Sequence, residues 1–481
     1  MEPTCYERTS HLGGLWRYHD DDQDGLASVM KTTIINSSKE MGAFSDFPPN
    51  DDVPNYMHNK QVFQYLTDYA EMFDVERHVQ FNKEVVMVDM ADDYNETGRI
   101  VITAKDTKTE EVTKNTFDGV IVCIGHHVYP NVPSFPGMDK FKGKVLHTHS
   151  LKKVAEFEDQ NVVVVGVGNS GMDAAVEISS VAKQVYLSTR RGTWVLPRVG
   201  PKGMPIDVAL TTRFFDLLFR MVPYNIVCWF CERQLNERFD HATYNLKPAH
   251  RIWSQHPTIS DTLPIKVLSG TVKVKKNIAK FVENGVIFDG EDEVTDCDSV
   301  VLATGYKIKF PFLNESFTTV KDNEVHLYKY VFPPQMKHPS VAIGGLIQSV
   351  GAGFPVMEAQ VRWATLVMNG KIKLPTREEM EIDIQRKREA NKKRYANSQR
   401  HTIQVDYIPY MDEICSLFGA KPNLFKIFFT NPVLFHTMFF GPSLSYQYRL
   451  QGPHAKPELS TKVLLEWDKR VFKPLKKDYK Q

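Results

Sequence analysis

The chain has 481 residues, 42% of them hydrophobic and 24% charged, with a formal net charge of +1. That balance excludes a disordered chain and supplies enough apolar material for more than one core. It provides no field for holding a polyanion, so nucleic acid is not an expected partner. Six scattered cysteines, and a start without the basic, apolar and small-residue order of a secretory signal, point to a reducing compartment.

The opening stretch, MEPTCYERTSHLGGLW, reads as a short strand ending in Glu7, followed by Gly13, Gly14 and Trp16. In a dinucleotide-binding βαβ unit, an acid at the end of the second strand accepts hydrogen bonds from a ribose, and a glycine turn after the first strand holds the pyrophosphate. Glu7 fits the acid. No strand and glycine turn stand before it, so this unit is expected to lack its pyrophosphate cradle.

Further along, Val120 to Ile124 is an apolar run ending at Gly125, which fits a strand buried on both faces of a parallel sheet. Val162 to Val165 form the next strand, GVGNSG a turn, Met172 to Val181 a helix, and Gln184 to Leu187 a second strand. The run CDSVVLATGY then repeats the pattern of the first, ending at Gly305. Residues 376–401 read as a charged helix with a solvated face, whose basic second half also suits anionic lipid.

GVGNSG carries the sharpest chemistry because it follows a strand and opens a helix. Gly166 permits a tight turn, Gly168 lets backbone approach a pyrophosphate, and Gly171 lets helix and strand pack closely, with Asn169 and Ser170 at the helix start, where phosphate charge is favoured. The next strand ends in Ser188, Thr189, Arg190 and Arg191 rather than an acid. Two guanidiniums and two hydroxyls suit a ribose 2′-phosphate, so NADPH is expected rather than NADH. Two glycine-ended strands on either side of this unit suggest a second nucleotide domain into which it is inserted. No metal-ligand cluster stands out, and FAD is the economical hydride acceptor.

Two apolar runs, Met221 to Cys231 and Ile427 to Phe440, are shorter than the roughly 20 residues needed to span a bilayer. Nearby cations (Arg213, Arg220, Arg233, Lys421, Lys426) suit either an interfacial surface or a core helix. Cys228 and Cys231 form a CxxC in helix-like surroundings, read as two structural thiols rather than a redox pair.

ERTSHLGGLW, NSSK (Asn36 to Lys39), FSDFP (Phe44 to Pro48), GHHVYPNVPSFPG, FKGKVLH, GVGNSG, LATGY and FGPSLSYQYRL together resemble the flavin-containing monooxygenases, in that family's order and over essentially the whole chain. The stretch FKGKVLHTHSL matches the family's identifying motif at Phe141, Gly143 and His147, with Leu151 in place of an aromatic residue. Leu151 supports neither the amine- and sulfide-oxygenating branch nor the Baeyer-Villiger branch, and reads as a change at a packing position.

The resemblance implies an α/β fold with two Rossmann-like dinucleotide-binding domains. Residues 1–150 would begin the FAD domain, 151–299 would form the NADP domain with a helical insertion at about 200–260, and 300–481 would complete the FAD domain and a helical end. It implies reduction of FAD by NADPH, capture of O2 as a C4a-hydroperoxyflavin, and oxygen transfer to an amine or sulfide. Asn36 would be the catalytic side chain contacting flavin and nicotinamide. Glu7, Gly14, Leu15, Trp16 and Gln348 would lie on the FAD, and His126 and His127 near it, either as site residues or as ordinary loop histidines. It also implies attachment to the endoplasmic reticulum membrane, here through the two short apolar runs, and leaves the oligomeric state open. A non-catalytic member with weak FAD binding, and a Baeyer-Villiger or peroxide-releasing oxidase, are the alternatives.

Overall fold

The computed structural model describes residues 2–23, 25–27, 29–395 and 402–476. A five-stranded parallel sheet runs in the order Val272–Lys275, Gln184–Ser188, Asn161–Val165, Ser299–Leu302 and Lys144–His147. Its central strand is four consecutive valines, 0–6% exposed. Side chains alternate across a strand, so Val162 and Val164 enter one core while Val163 and Val165 enter the core on the opposite face. A sheet covered on both sides is what a continuous β-branched run predicts. The crossover from Asn161–Val165 to Gln184–Ser188 is the helix Asn169–Ile178, which begins at the glycine motif.

The run ending at Gly305 behaves differently from its expected role as an echo of the 120–124 strand. Ser299–Leu302 inserts between Asn161–Val165 and Lys144–His147, so it lies in the same sheet as the glycine motif. Val120–Val122 instead pairs in parallel with Val341–Ile343. Both runs satisfy the same requirement, burial on two faces, and composition alone does not distinguish the two sheets.

The rest of the molecule is assembled from distant parts of the chain. Cys5–Tyr6 pairs in parallel with Val79–Gln80. A three-stranded antiparallel sheet is built from Lys83–Met90, Ile100–Asp106 and Val112–Phe117. The largest apolar cluster runs from Met41 to Val471 and surrounds Trp363, 1% exposed, on the helix Phe354–Met368.

Between the parallel pair Val195–Leu196 and Thr258–Ile259, the chain forms three helices, Ile206–Leu210, Arg213–Met221 and Tyr224–Arg238. Arg213, 6% exposed, ties this insertion to the C-terminal part through both carboxylate oxygens of Asp412 at 2.9 Å, and it also donates to Gln447 and Tyr448. Phe214 packs its ring against Phe439 and Phe440, beside the helices Leu424–Thr430 and Pro432–Phe440. The helix that leads into the first apolar run thus packs on the second run, and large apolar side chains are exposed in and beside both runs: Met221 is 75% exposed, Trp229 55%, Phe425 76% and Phe429 67%. No helix among the described residues is long and apolar enough to cross a membrane.

The charged helix forms at Arg377–Arg394, started by a capping box between Thr376 and Glu379. It is less solvated than its composition suggests. Asp383, 7% exposed, receives the buried Lys329 ammonium at 2.8 Å, and Glu413 on the neighbouring helix binds Lys329 and Lys387. A charged residue can face inward where partners satisfy it. Residues 396–401 of the expected helix lie outside the described residues.

Candidate active site

The glycine motif has the geometry that its three glycines require. Gly166 adopts φ +114°, and a Cβ there would meet the Ala303 carbonyl at 2.5 Å. A Cβ on Gly171 would come within 2.0 Å of the Gly166 carbonyl oxygen. Gly168 is different: nothing lies within 4 Å of its Cβ direction, so its backbone faces open space at the helix start. The helix N-terminus has no side-chain cap, which leaves backbone N–H donors for an anion.

Asn169 does not point at that space with its carbonyl, because Oδ1 accepts from the Ile259 N–H at 2.8 Å and so fastens the turn to the strand Thr258–Ile259. Thr258 adds a bond from its hydroxyl to the Val167 carbonyl at 2.9 Å. Ser170 is exposed.

Of the four residues expected around a 2′-phosphate, Ser188 is turned inward. It is 1% exposed, and its hydroxyl donates to the Lys276 carbonyl at 2.9 Å. As the last residue of its strand it still follows the pleat, which directs it into the protein. Thr189 shapes the loop by accepting from the Gly192 N–H at 2.9 Å, and Arg190 and Arg191 are both exposed.

At the other end, Glu7 follows the strand Cys5–Tyr6, and its Oε1 accepts from the Thr9 N–H and hydroxyl, both at 2.7 Å. Gly13 (φ +109°) and Gly14 (φ +46°) turn the chain into Gly14–Trp16; a Cβ on Gly13 would strike the Phe63 ring, whereas Gly14 faces open space. Leu15 and Trp16 are half-buried. Trp16 sets its ring edge-on to Phe354, 6.4 Å away, the first residue of the helix Phe354–Met368, which lacks a side-chain cap. Gln348, in the strand Gln348–Val350 just before that helix, is half-buried. The opening loop and the Gln348 segment thus meet at a second helix N-terminus.

Asn36 reaches the glycine-motif side through Arg198, whose guanidinium lies 3.9 Å from Asp173 on the helix Asn169–Ile178. The Asn36 Oδ1 accepts from the Arg198 guanidinium at 2.7 Å. Two residues on, the Ser38 N–H donates to Asp207 of the helical insertion at 2.7 Å. Burial raises the Asp207 carboxyl to about 6, against the opposing pull of the Ser38 N–H. The rings of His126 and His127 lie 4.2 Å apart, His127 at the surface, and surrounding protein pushes these imidazoles and that of His256 below their usual range, His256 to about 4. They are neutral in the ordinary pH range. His147 Nε2 meets the Gly305 carbonyl at 3.0 Å and its Nδ1 accepts from the His149 N–H at 3.0 Å, which fixes its tautomer. Leu151 is fully buried.

Sequence reasoning missed the clamp beneath this site. Arg449, 6% exposed, donates to Ser45 at 2.7 Å, to Asp46 at 2.9 Å and to Glu358 at 2.8 Å, and Glu358 also takes the Ser45 N–H at 2.7 Å. FSDFP and FGPSLSYQYRL, quoted above only as matching segments, are thus joined by one arginine. Cys228 and Cys231 lie on one helix as free thiols, Cys228 buried.

A parallel sheet with a dinucleotide glycine turn, placed beside a second α/β body with an acid-ended strand and its own uncapped helix start, defines an oxidoreductase built around two nucleotide cofactors. Comparison makes this specific. The family model described as flavin-binding monooxygenase-like matches residues 1–481. Flavin-containing monooxygenase 5 of Rattus norvegicus is 47% identical over 477 residues, covering 99% of this chain and 89% of that protein. The N-oxide-forming dimethylaniline monooxygenase 2 of Oryctolagus cuniculus is 42% identical over 479 residues, with the same two coverages. Among solved structures, S-allyl-L-cysteine S-oxygenase of Allium sativum shares the fold, with a TM-score of 0.66 and 24% identity over 97% of this chain and 93% of that one. The chain belongs to the flavin-containing monooxygenase family and is an NADPH-dependent flavoenzyme that uses FAD.

The residues present fit both cofactors. Open space over Gly168, free helix N–H donors and two exposed arginines suit NADPH. The Glu7 carboxylate and the open face of Gly14 opposite an uncapped helix suit parts of FAD.

Proposed function

We propose that this enzyme transfers one oxygen atom from O2 to soft nucleophiles, amines and sulfides, and that Asn36 is its catalytic side chain. When bound, NADPH would supply the hydride, and FAD the centre that accepts it and activates dioxygen. The chain's own residues do the rest. Gly166, Gly168, Gly171 and the helix N–H groups hold the NADPH pyrophosphate, with Asn169 and Ser170 shaping the turn. Thr189, Arg190 and Arg191 take the 2′-phosphate, and Ser188 supports their loop from inside. Glu7, Gly14, Leu15, Trp16 and Gln348 hold FAD. The Asn36 amide suits a site that must exclude stray protons, since it donates and accepts without titrating. His126 and His256, whose imidazoles burial pushes below their usual range, are not strong acids.

The observation that carries this reading is the position of Asn36, bonded to Arg198 of the NADP side and two residues from the contact with the helical insertion. Residues 1–150 and 300–481, apart from the strands Lys144–His147 and Ser299–Leu302, are proposed to form the FAD unit, and 151–299 together with those two strands the NADP unit. The exposed apolar side of the insertion and the helices Leu424–Thr430 and Pro432–Phe440 supports peripheral attachment to the endoplasmic reticulum membrane. The test is to supply a thioether, a tertiary amine and a ketone in turn with NADPH and isotopically labelled dioxygen. Label is expected in the sulfoxide and N-oxide; label only in an ester made from the ketone would overturn the substrate assignment.

A further inference from the structure

Among the described residues, Arg198 is the hydrogen-bonding partner of the Asn36 carboxamide. Its position is fixed without help from that bond. The Arg198 N–H donates to both carboxylate oxygens of Asp261 at 3.0 and 3.1 Å, and its carbonyl accepts from the Tyr56 hydroxyl at 2.7 Å. Its guanidinium lies 3.7 Å from Asp261 and 3.9 Å from Asp173, on the helix that opens at the glycine motif. Tyr56 in turn accepts from the Ile206 N–H at 3.3 Å, at the start of the helical insertion. The backbone of Arg198 is therefore held by Asp261 and by Tyr56, which also meets the insertion, and its guanidinium is faced by two carboxylates, Asp173 on the NADP helix and Asp261.

This placement decides the orientation of Asn36. A carboxamide offers an acceptor at one end and two donors at the other, and the two ends are nearly equal in shape. A guanidinium has donors only, so the end of Asn36 that faces it must be the oxygen. The NH2 end is then turned away from Arg198. A charged donor makes this bond stronger than a neutral one, and the reversed amide would set two donors against each other. Arg198 also carries a buried Nε–H without an acceptor, a donor that a bound molecule can complete.

The geometry points to Arg198 as a positioning residue that holds Asn36 with its NH2 group presented to the site of oxygen transfer. This rests on the role of Asn36 proposed above and adds a residue that neither motif spacing nor the resemblance singled out.

The test uses the FAD-loaded full chain and four variants, Arg198→Lys, Arg198→Ala, Asn36→Ala and the double alanine variant. Three readouts are needed: hydrogen peroxide released per NADPH consumed with a thioether present, NADP+ affinity by calorimetry, and neutron crystal structures of wild type and R198A, which locate the amide hydrogens and so tell the oxygen end of Asn36 from the nitrogen end. R198A and N36A should each raise the peroxide share by about fivefold, and the double variant should match the larger single effect, because the two residues act as one unit. R198K should fall between wild type and R198A, since a lysine keeps a charged donor but loses the planar fork. NADP+ affinity should change by less than about twofold, and the R198A crystal should show the Asn36 carboxamide rotated. Effects that multiply in the double variant, or an unmoved carboxamide, would overturn the inference. If R198A does not fold, Arg198→Gln gives the same reading, because its amide can face Asn36 either way round. A wild-type protein that yields peroxide and no sulfoxide would end the proposed role of Asn36, while a rotated carboxamide in the R198A crystal would still place its orientation under Arg198.

Discussion

The glycine-motif sheet and the Asn36 region are built by opposite means. The sheet gathers its motif strand, turn, helix and second strand from residues 161–188, close together in the chain. The Asn36 region is held by bonds between residues far apart: Asn36 to Arg198 across 162 positions, Ser38 to Asp207 across 169, and Asp46 to Arg449 across 403. A site that must bind a common cofactor can be a local motif. A site that must exclude water and hold one amide in one orientation draws its constraints from the whole chain.

Four substitutions probe that contrast. The largest effect is expected at Arg449, where Arg449→Ala leaves Asp46 and Glu358, each about a tenth exposed, without their shared cation. Removing one partner of a buried pair costs about 3–5 kcal/mol, to be read by denaturant unfolding. A loss below about 1 kcal/mol would mean that the clamp is not what joins the two segments.

Asp207 comes next. Its carboxyl is raised from 3.8 to about 6 by burial, so between those values the folded protein binds more protons than the unfolded chain. Stability from this group is therefore lost as pH rises through that window, by about 2–3 kcal/mol. Asp207→Asn should remove that part of the slope in unfolding measurements between about pH 4 and about pH 7. An unchanged slope would show that Asp207 is not buried against the Asn36 loop as described.

The smallest effects separate two glycines of one motif. Gly171→Ala forces a contact at 2.0 Å with the Gly166 carbonyl oxygen, while Gly168→Ala points a methyl into open space. The first should cost about 1–3 kcal/mol of stability. The second should leave stability within about 0.5 kcal/mol yet weaken NADPH binding by about tenfold, by blocking the approach of the pyrophosphate. Equal losses of stability would erase the distinction between a packing glycine and a binding glycine.

Much of the sheet was legible in the sequence because hydrophobic periodicity and a glycine turn act over a few residues. Its outer strands, Lys144–His147 and Val272–Lys275, were not, since pairing across the fold leaves no local mark. The motif at 141–147 looked like a family signature, and the structure gives it physical content. Phe141 packs on Phe281, a Cβ on Gly143 would meet the Asp298 carbonyl at 2.4 Å, and His147 is pinned to Gly305. Asp383 shows the limit of reading charge as exposure: its partner Lys329 lies 54 positions away, and only the fold brings them together. Ser188 shows the limit of reading a strand end as a set of ligands, because the pleat sends one of four polar residues inward.

An enzyme of this kind must couple NADPH oxidation to oxygen transfer. The direct measurement is the yield of oxygenated thioether, alongside hydrogen peroxide, for each NADPH consumed by the FAD-loaded enzyme. The account predicts nearly one oxygenated product per NADPH and little peroxide; NADPH consumed entirely to peroxide, with the thioether untouched, would contradict it.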